Sequence, residues 1–128
     1  MKNAFLRLFL LASALLSPFA AQAHHGWAAF TSEPESQITL KGTVKEFHFV
    51  NPHSVIELAV TDNGQTTVWE GELTSNTNLA ARGWTAISLE DRQEITLTGY
   101  PARNGAHAMR VTRIVLANGK ELKLVSGN

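Results

Sequence analysis

The sequence predicts an all-β fold closed into a small barrel, and two observations lead to that prediction. Short stretches rich in β-branched and aromatic residues alternate between apolar and polar positions. Residue pairs suited to positive φ separate these stretches at Asp62-Asn63-Gly64, Asn104-Gly105 and Asn118-Gly119. We therefore expect a five- to six-stranded OB-like barrel with one short helix between strands three and four. A split six-stranded barrel or a small sandwich is the alternative.

The first strand is predicted over 37–49, and its apolar pattern requires a change of register. Even-numbered positions carry the apolar side chains as far as Val44, whereas the two phenylalanines that follow are odd-numbered. A one-residue bulge near Lys45 or Glu46 would return all these side chains to one face. Gly42 inside the strand fits a sharp bend of the kind that barrels need.

The same alternation predicts the later strands, and capping signals predict the helix. Strands are expected over 54–61, 66–73, 94–100 and 108–116, with a short last strand over 121–125. The helix is expected over 76–82, with Ser75 or Asn76 as its N-cap and Gly83 in the C′ position.

Residues 1–23 have the pattern of a cleaved secretory signal. Lys2 and Arg7 lie near the start, and the stretch from Ala4 to Leu16 is almost wholly apolar. Ser17-Pro18 then breaks the helix, and Ala21-Gln22-Ala23 has the small-x-small form of a signal peptidase site. The run is shorter than the roughly 20 residues of a comfortable bilayer span, although an uncleaved membrane anchor is the alternative. Cleavage predicts a periplasmic protein that is not membrane-embedded, with an N-terminal segment over 24–36 and a barrel domain over 37–128.

Composition and charge exclude several classes of function. The 128 residues include no cysteine, which excludes disulfide scaffolds, cysteine-ligated zinc, iron–sulfur clusters and thiol catalysis. Signal removal leaves nine basic and eleven acidic side chains, and this net charge of −2 argues against nucleic-acid binding. One solvated strand face is expected to hold the late basic residues, Arg103, Arg110, Arg113, Lys120 and Lys123.

Two glutamates in the third predicted strand flank a glycine. Glu70 and Glu72 around Gly71 would form an acid–base pair if both faced one cleft. The commoner role of such residues is to keep an edge strand soluble, and the sequence favours that interpretation.

Cleavage after Ala23 would leave a mature chain that begins His24-His25-Gly26-Trp27. An N-terminal histidine offers its α-amine and its ring nitrogen to one metal ion, and a second imidazole would complete a T-shaped nitrogen site. The α-amine, with a reference pKa of roughly 7.7–8.0, is partly deprotonated at neutral pH. Nitrogen-rich tetragonal sites favour Cu(II), so the sequence predicts a candidate copper site at the mature N-terminus.

Three histidines further along the chain are candidates for the second imidazole. His53 ranks first, because Asn51 and Pro52 stiffen the turn between strands one and two. His48, on the outward face just before this turn, ranks second. His107 follows a later turn and would lie at either end of the barrel.

The residues around the mature N-terminus decide whether it can join such a site. In an extended segment His25 points away from His24, so it acts either in place of His24 or not at all. Trp27 and Phe30 are expected to dock on the barrel and thereby hold both histidines nearby. The alternatives are a hydrophobic plug that closes one barrel end and a frayed, solvated tail.

The mature chain also resembles a family of small exported bacterial proteins whose function is not assigned. The residues that carry the resemblance are His24-His25-Gly26-Trp27-Ala28-Ala29-Phe30, Gly42-Thr43-Val44, Phe49-Val50-Asn51-Pro52-His53-Ser54, Asn78-Leu79-Ala80, Arg82-Gly83-Trp84 and Leu97-Thr98-Gly99-Tyr100-Pro101-Ala102-Arg103. The resemblance implies a periplasmic location and a compact β-barrel, with no established activity. One departure is Glu90-Asp91-Arg92-Gln93, where the family tends to have a Pro-Gly-Asp-like turn, and it leaves the histidines unaffected.

Three functional hypotheses follow. The leading one is a non-enzymatic binding module that captures, delivers or senses copper through His24, His53 and either His48 or His25. The second is a metal-free interaction module for an envelope protein or glycan, which solvent-exposed tryptophans lining a groove would favour. The third is an oxidative copper enzyme at the same site, for which the sequence specifies no substrate surface.

Overall fold

The computed structural model describes residues 26–124. Its regular elements are β1 (Ile38–His48), β2 (Val55–Asp62), β3 (Gln65–Glu72), α1 (Asn76–Ala80), β4 (Glu94–Pro101), β5 (Ala108–Leu116) and β6 (Glu121–Leu122). Two single turns of 3₁₀ helix, Trp27–Ala29 and Pro34–Ser36, precede β1. Each predicted strand and the predicted helix is therefore present, with bounds that differ by at most three residues.

Five strands close into a barrel with the predicted OB-like order. β1 pairs with β2 and β4, β2 pairs with β3, and β4 pairs with β5, all of them antiparallel. β3 and β5 close the barrel through a short parallel pairing, and β6 adds an extra strand to β5. No helix within residues 26–124 is long and apolar enough to cross a membrane.

The closure corrects the expectation that Glu70 and Glu72 solubilise an edge strand. Both lie in the part of β3 that pairs with β5 as well as with β2. A Cβ on Gly71 would lie 2.9 Å from side-chain atoms of Leu97 and Val111 in the interior. Gly71 therefore faces inward, and alternation turns the two glutamates to the outside of the barrel.

The predicted bulge in β1 is also present. The pairing with β2 shifts between Val44 and Glu46, which leaves Lys45 as the extra residue. Val44 is buried and Phe47 packs against the core. The bulge thus keeps apolar residues inward and leaves Glu46 and His48 on the outer face.

The core fills the barrel and extends under α1. Ser75 caps the helix, because its Oγ accepts a hydrogen bond from the backbone N–H of Asn78 at 3.2 Å. The indole of Trp84 is buried and donates to the carbonyl of Lys123 at 3.0 Å. Fully buried side chains include Val44, Ile56, Leu58, Leu79, Ile95, Leu97, Met109 and Ile114.

Residues 26–36 run across the barrel surface before β1 begins. Phe30 forms a β-bridge with Ala102 and keeps only 5% of its surface exposed. The N–H of Thr31 donates to the carbonyl of Pro101 at 3.0 Å. This segment is therefore docked beside the end of β4, as the spacing of its aromatic residues predicts for Phe30.

Candidate functional site

Three adjacent strands carry glutamates in one row on the outer face of the barrel. Glu46 lies opposite Glu57, and Glu57 lies opposite Glu70, in the registers of β1 with β2 and of β2 with β3. Like charges directly opposite each other destabilise a sheet. The histidines and cations around this row are therefore important for its charge balance.

His48 lies between two of these glutamates and, with them, forms what we call the His48 group (Glu46, His48 and Glu57). Its Nε2 is 3.1 Å from Oε1 of Glu57, and its Nδ1 is 3.6 Å from Oε1 of Glu46. Lys45 approaches Oε2 of Glu57 at 3.2 Å. The hydrogen bond from His48, followed by that from Lys45, lowers the pKa of Glu57 below its ordinary value.

The His48 group could hold a metal ion, although its surroundings do not favour one. Each member offers a ligand atom, and these atoms lie within 4.8 Å of one another. Two carboxylates and one imidazole make an oxygen-rich set, which suits harder ions than copper. The ammonium of Lys45 already neutralises part of the charge that a cation would need.

His53 makes a separate pair with Glu72, which we call the His53 pair. The Nδ1 of His53 is 2.7 Å from Oε1 of Glu72. A carboxylate only accepts hydrogen bonds, so this contact assigns a proton to Nδ1, and Nε2 carries the lone pair whenever the ring is neutral. Within residues 26–124 no hydrogen-bond partner of Nε2 is found, and 37% of the His53 side chain is exposed. Metal-binding histidines are typically oriented by a carboxylate in this way.

A buried serine anchors the turn that carries His53. Ser54 is fully buried, and its Oγ donates to the carbonyl of Val50 at 3.2 Å. Asn51 and Pro52 form the exposed part of the turn, and the peptide bond between them is cis. The sequence identifies the turn correctly, whereas the anchoring role of Ser54 is visible only once the barrel end is assembled.

Arg110 connects the His53 pair to the N-terminal segment. It lies in register between Glu72 on β3 and Tyr100 on β4. Its Cζ is 4.0 Å from the ring centroid of Trp27 and 4.9 Å from that of Tyr100. Burial lowers the pKa of Arg110, but a guanidinium remains charged at neutral pH. Trp27 therefore docks through a cation–π contact.

The position of Arg110 corrects the expectation of one solvated basic face. Its Nε is buried and has no hydrogen-bond partner among the described residues. The neighbouring arginines are dispersed: Arg103 lies 3.8 Å from Glu33, and Arg113 lies 2.9 Å from Glu121. Arg110 differs from the others because its guanidinium contacts Tyr100 on the neighbouring strand and Trp27 of the docked N-terminal segment.

The structure brings some of the predicted site residues together and separates others. His53 is linked to Trp27 through Glu72 and Arg110. The sequence favoured an edge-strand role for Glu72 over an acid–base role, and it placed Arg110 on a solvated face. His48 engages its own glutamates, and the ring of His107 stacks on Trp69 at 5.1 Å. Of the other predicted residues, Phe30 is docked as described, and His24 and His25 lie outside the described residues.

Trp27 corresponds only in part to its predicted role as a buried anchor. Its side chain remains 48% exposed and covers Arg110 rather than entering the core. The alternating pattern of β3 and β5 was the signal that could have placed Glu72 and Arg110 on the outer face. Their proximity depends on the parallel pairing of these strands, which no local pattern indicates.

Comparison with known proteins places the chain in a family without assigning its activity. A family model described as "Family of unknown function (DUF6152)" matches residues 12–110. The match covers more than half of the chain, so the chain belongs to this family. No curated protein and no solved structure matches it.

Proposed function

We propose that this member of the DUF6152 family is a periplasmic, non-enzymatic copper-binding module. Its site would combine the α-amine and ring of a mature N-terminal His24 with the imidazole of His53. The observation that supports this most directly is the placement of the His53 pair at the point where the N-terminal segment docks. The role that follows is capture, delivery or sensing of copper.

The contacts of His53 favour it as the second imidazole ligand. Glu72 fixes the ring and its tautomer, and leaves Nε2 as a ligand atom at the surface. A first-row metal ion binds such a nitrogen readily, whereas the Nε2 of His48 already faces Glu57. His53 is therefore the more available imidazole of the two.

The docked N-terminal segment limits how far His24 can lie from Trp27. Trp27 lies on Arg110, which is the cross-strand neighbour of Glu72. His24 is three residues before Trp27, and three residues span at most roughly 10–11 Å at ~3.3–3.6 Å per residue. A mature chain that starts at His24 would therefore begin no farther than this from Trp27, whose ring covers the cross-strand neighbour of Glu72.

The proposed donor atoms favour copper. An α-amine and two imidazoles form a nitrogen-rich set, and such sets favour Cu(II) within the first-row series. The chain has no cysteine, so a thiolate copper centre is excluded. Thus the donor set available at this place matches copper better than zinc bound through thiolates or calcium bound through oxygens.

The proposal is tested by a Cu(II) titration of protein purified from the periplasm, after its intact mass has verified a start at His24. A competing chelator of known affinity sets the scale. His53→Ala and His24→Ala should each weaken binding at least about tenfold, because each removes an imidazole ligand. The matched control His48→Ala should bind as the unaltered protein does.

Two results would contradict the proposal. One is a mature chain that starts elsewhere, since the terminal chelate would then not exist. The other is equal copper affinity in His53→Ala and His48→Ala, which would remove the distinction between the two histidines.

A further inference from the structure

We propose that a groove beside the β2–β3 hairpin binds a neutral oligosaccharide built of hexose or N-acetylhexosamine units. The groove is independent of the His53 pair and of the proposed copper site. It lies between the inner face of the hairpin on one side and β1 and the β4–β5 loop on the other.

The groove exists because the hairpin projects beyond the barrel. β2 and β3 remain paired as far as Asp62 and Gln65 at the hairpin tip. The pairing of β2 with β1 stops at Ala59, and the pairing of β3 with β5 starts at Glu70. Residues 60–69 therefore form a two-stranded arm that extends beyond the strands with which β2 and β3 pair in the barrel.

The size of the groove suits a short ligand. Its volume is about 370 Å³, at the lower end of the roughly 300–1,000 Å³ typical of ligand pockets. A site of this size accommodates one or two sugar rings.

The floor of the groove is apolar and contains a fixed aromatic ring. Leu40, Val60 and Trp69 line it, and all three pack against the core. The ring of His107 lies 5.1 Å from Trp69 at a tilt of 42°. A sugar ring has an apolar C–H face that packs on such a surface, and packing against the core limits the motion of Trp69.

The rim of the groove is polar and carries little charge. Its hydrogen-bonding side chains are Asp62, Asn63, Gln65 and Thr67, which together offer donors and acceptors to hydroxyl groups. None of the described residues that line the groove is a lysine or an arginine. Phosphate groups and nucleic acids would therefore find no counter-charge there, and a wholly apolar ligand would leave the rim unsatisfied.

The test is an NMR titration of the complete mature protein with chitotriose, with maltotriose and with tetra-alanine as an extended peptide. We expect at least one sugar trimer to cause saturable shifts centred on Trp69, Gln65 and His107. The double variant Asp62→Ala, Gln65→Ala should weaken binding about tenfold, because two hydrogen-bonding side chains are lost. Thr61→Ala, on the opposite face of the arm, is the matched control and should leave binding unchanged.

Three outcomes would overturn the proposal. They are the absence of shifts with both sugar trimers, shifts centred outside the groove, and binding of tetra-alanine without binding of either sugar. The double variant alters only exposed residues of the hairpin, so we expect the barrel to stay folded. Unchanged amide shifts outside the hairpin would verify this. Trp69→Phe provides a second variant that keeps a ring in the core, and it should weaken sugar binding without unfolding the protein.

Discussion

The His48 group and the His53 pair share a face of the barrel but differ in how they are assembled. The His48 group comes from two neighbouring strands, and each nitrogen of its ring faces a glutamate. The His53 pair joins a turn to a strand, and only Nδ1 of its ring is engaged within the described residues. The first group is complete within the sheet, whereas the second leaves one nitrogen open.

The difference follows from how a sheet pairs the side chains on its outer face. Cross-strand register places side chains in rows, so oppositely charged groups on the outer face satisfy one another. His53 lies in a turn outside that row, and among residues 26–124 only its Nδ1 has a partner. An incomplete pair beside a docked N-terminal segment is therefore a better candidate for binding than a satisfied group within the sheet.

The largest expected effect comes from removing the anchor beside the His53 pair. Phe30→Ala should lower the free energy of unfolding by about 3 kcal/mol, because a buried aromatic side chain is lost. Relative to the unaltered protein, Phe30→Ala should change the NMR chemical shifts of Trp27 and Arg110 but not those of His48 and Glu57. Chemical denaturation measures the stability, and a loss below about 1 kcal/mol would show that the segment is not anchored by this ring.

The next largest effect should separate the two glutamates. Glu72→Gln should weaken Cu(II) binding about tenfold, because a neutral amide orients the His53 ring less strongly than a carboxylate does. Glu57→Gln is the matched substitution in the His48 group and should leave copper affinity unchanged. Competition titrations of both variants test this, and the reverse order would transfer the site to the His48 group.

A smaller effect is expected at the cation–π contact. Trp27→Ala should cost roughly 0.5–1 kcal/mol of stability, the range for partly exposed contacts of this kind. Trp27→Phe should restore part of that loss, since a smaller ring still faces the guanidinium of Arg110. Denaturation midpoints of the two variants give the comparison, and equal midpoints would show that the contact contributes nothing.

The smallest effect concerns the pH dependence of the His48 group. The pKa of Glu57 is lowered in the folded protein, so its ion pairs stabilise the fold above the ordinary value of 4.5. That stabilisation is lost as the pH falls through the lowered pKa. His48→Gln should raise the pKa of Glu57 toward 4.5, which carboxyl NMR measures directly. An unchanged pKa would show that His48 is not its main partner.

Much of the fold could be predicted because its signals are local. The β1 bulge follows from the phase of a few apolar residues around Lys45, and the hairpin at Asn63-Gly64 follows from two residues that adopt positive φ. The cap of α1 at Ser75 is likewise a short-range hydrogen bond. Each of these features depends on neighbours within a few positions in the chain.

The site was less predictable because its contacts are long-range. His53 could be selected as a candidate from its turn, but its partner Glu72 lies nineteen positions later and was expected on an edge strand. Arg110 was expected on a solvated face, and it lies beneath Trp27 instead. Neither contact follows from periodicity, since periodicity sets the face of a strand but not its neighbour.

By itself, the amino-acid sequence determined the barrel class, the order of its elements and the identity of the principal histidine candidates. The tertiary structure decided which glutamate each of His48 and His53 contacts, and the parallel closure of β3 on β5 placed Glu72 beside Arg110. The physical reason is that side-chain direction along a strand is a local property of the backbone. The partner across the strand depends on the free energy of closing the whole barrel.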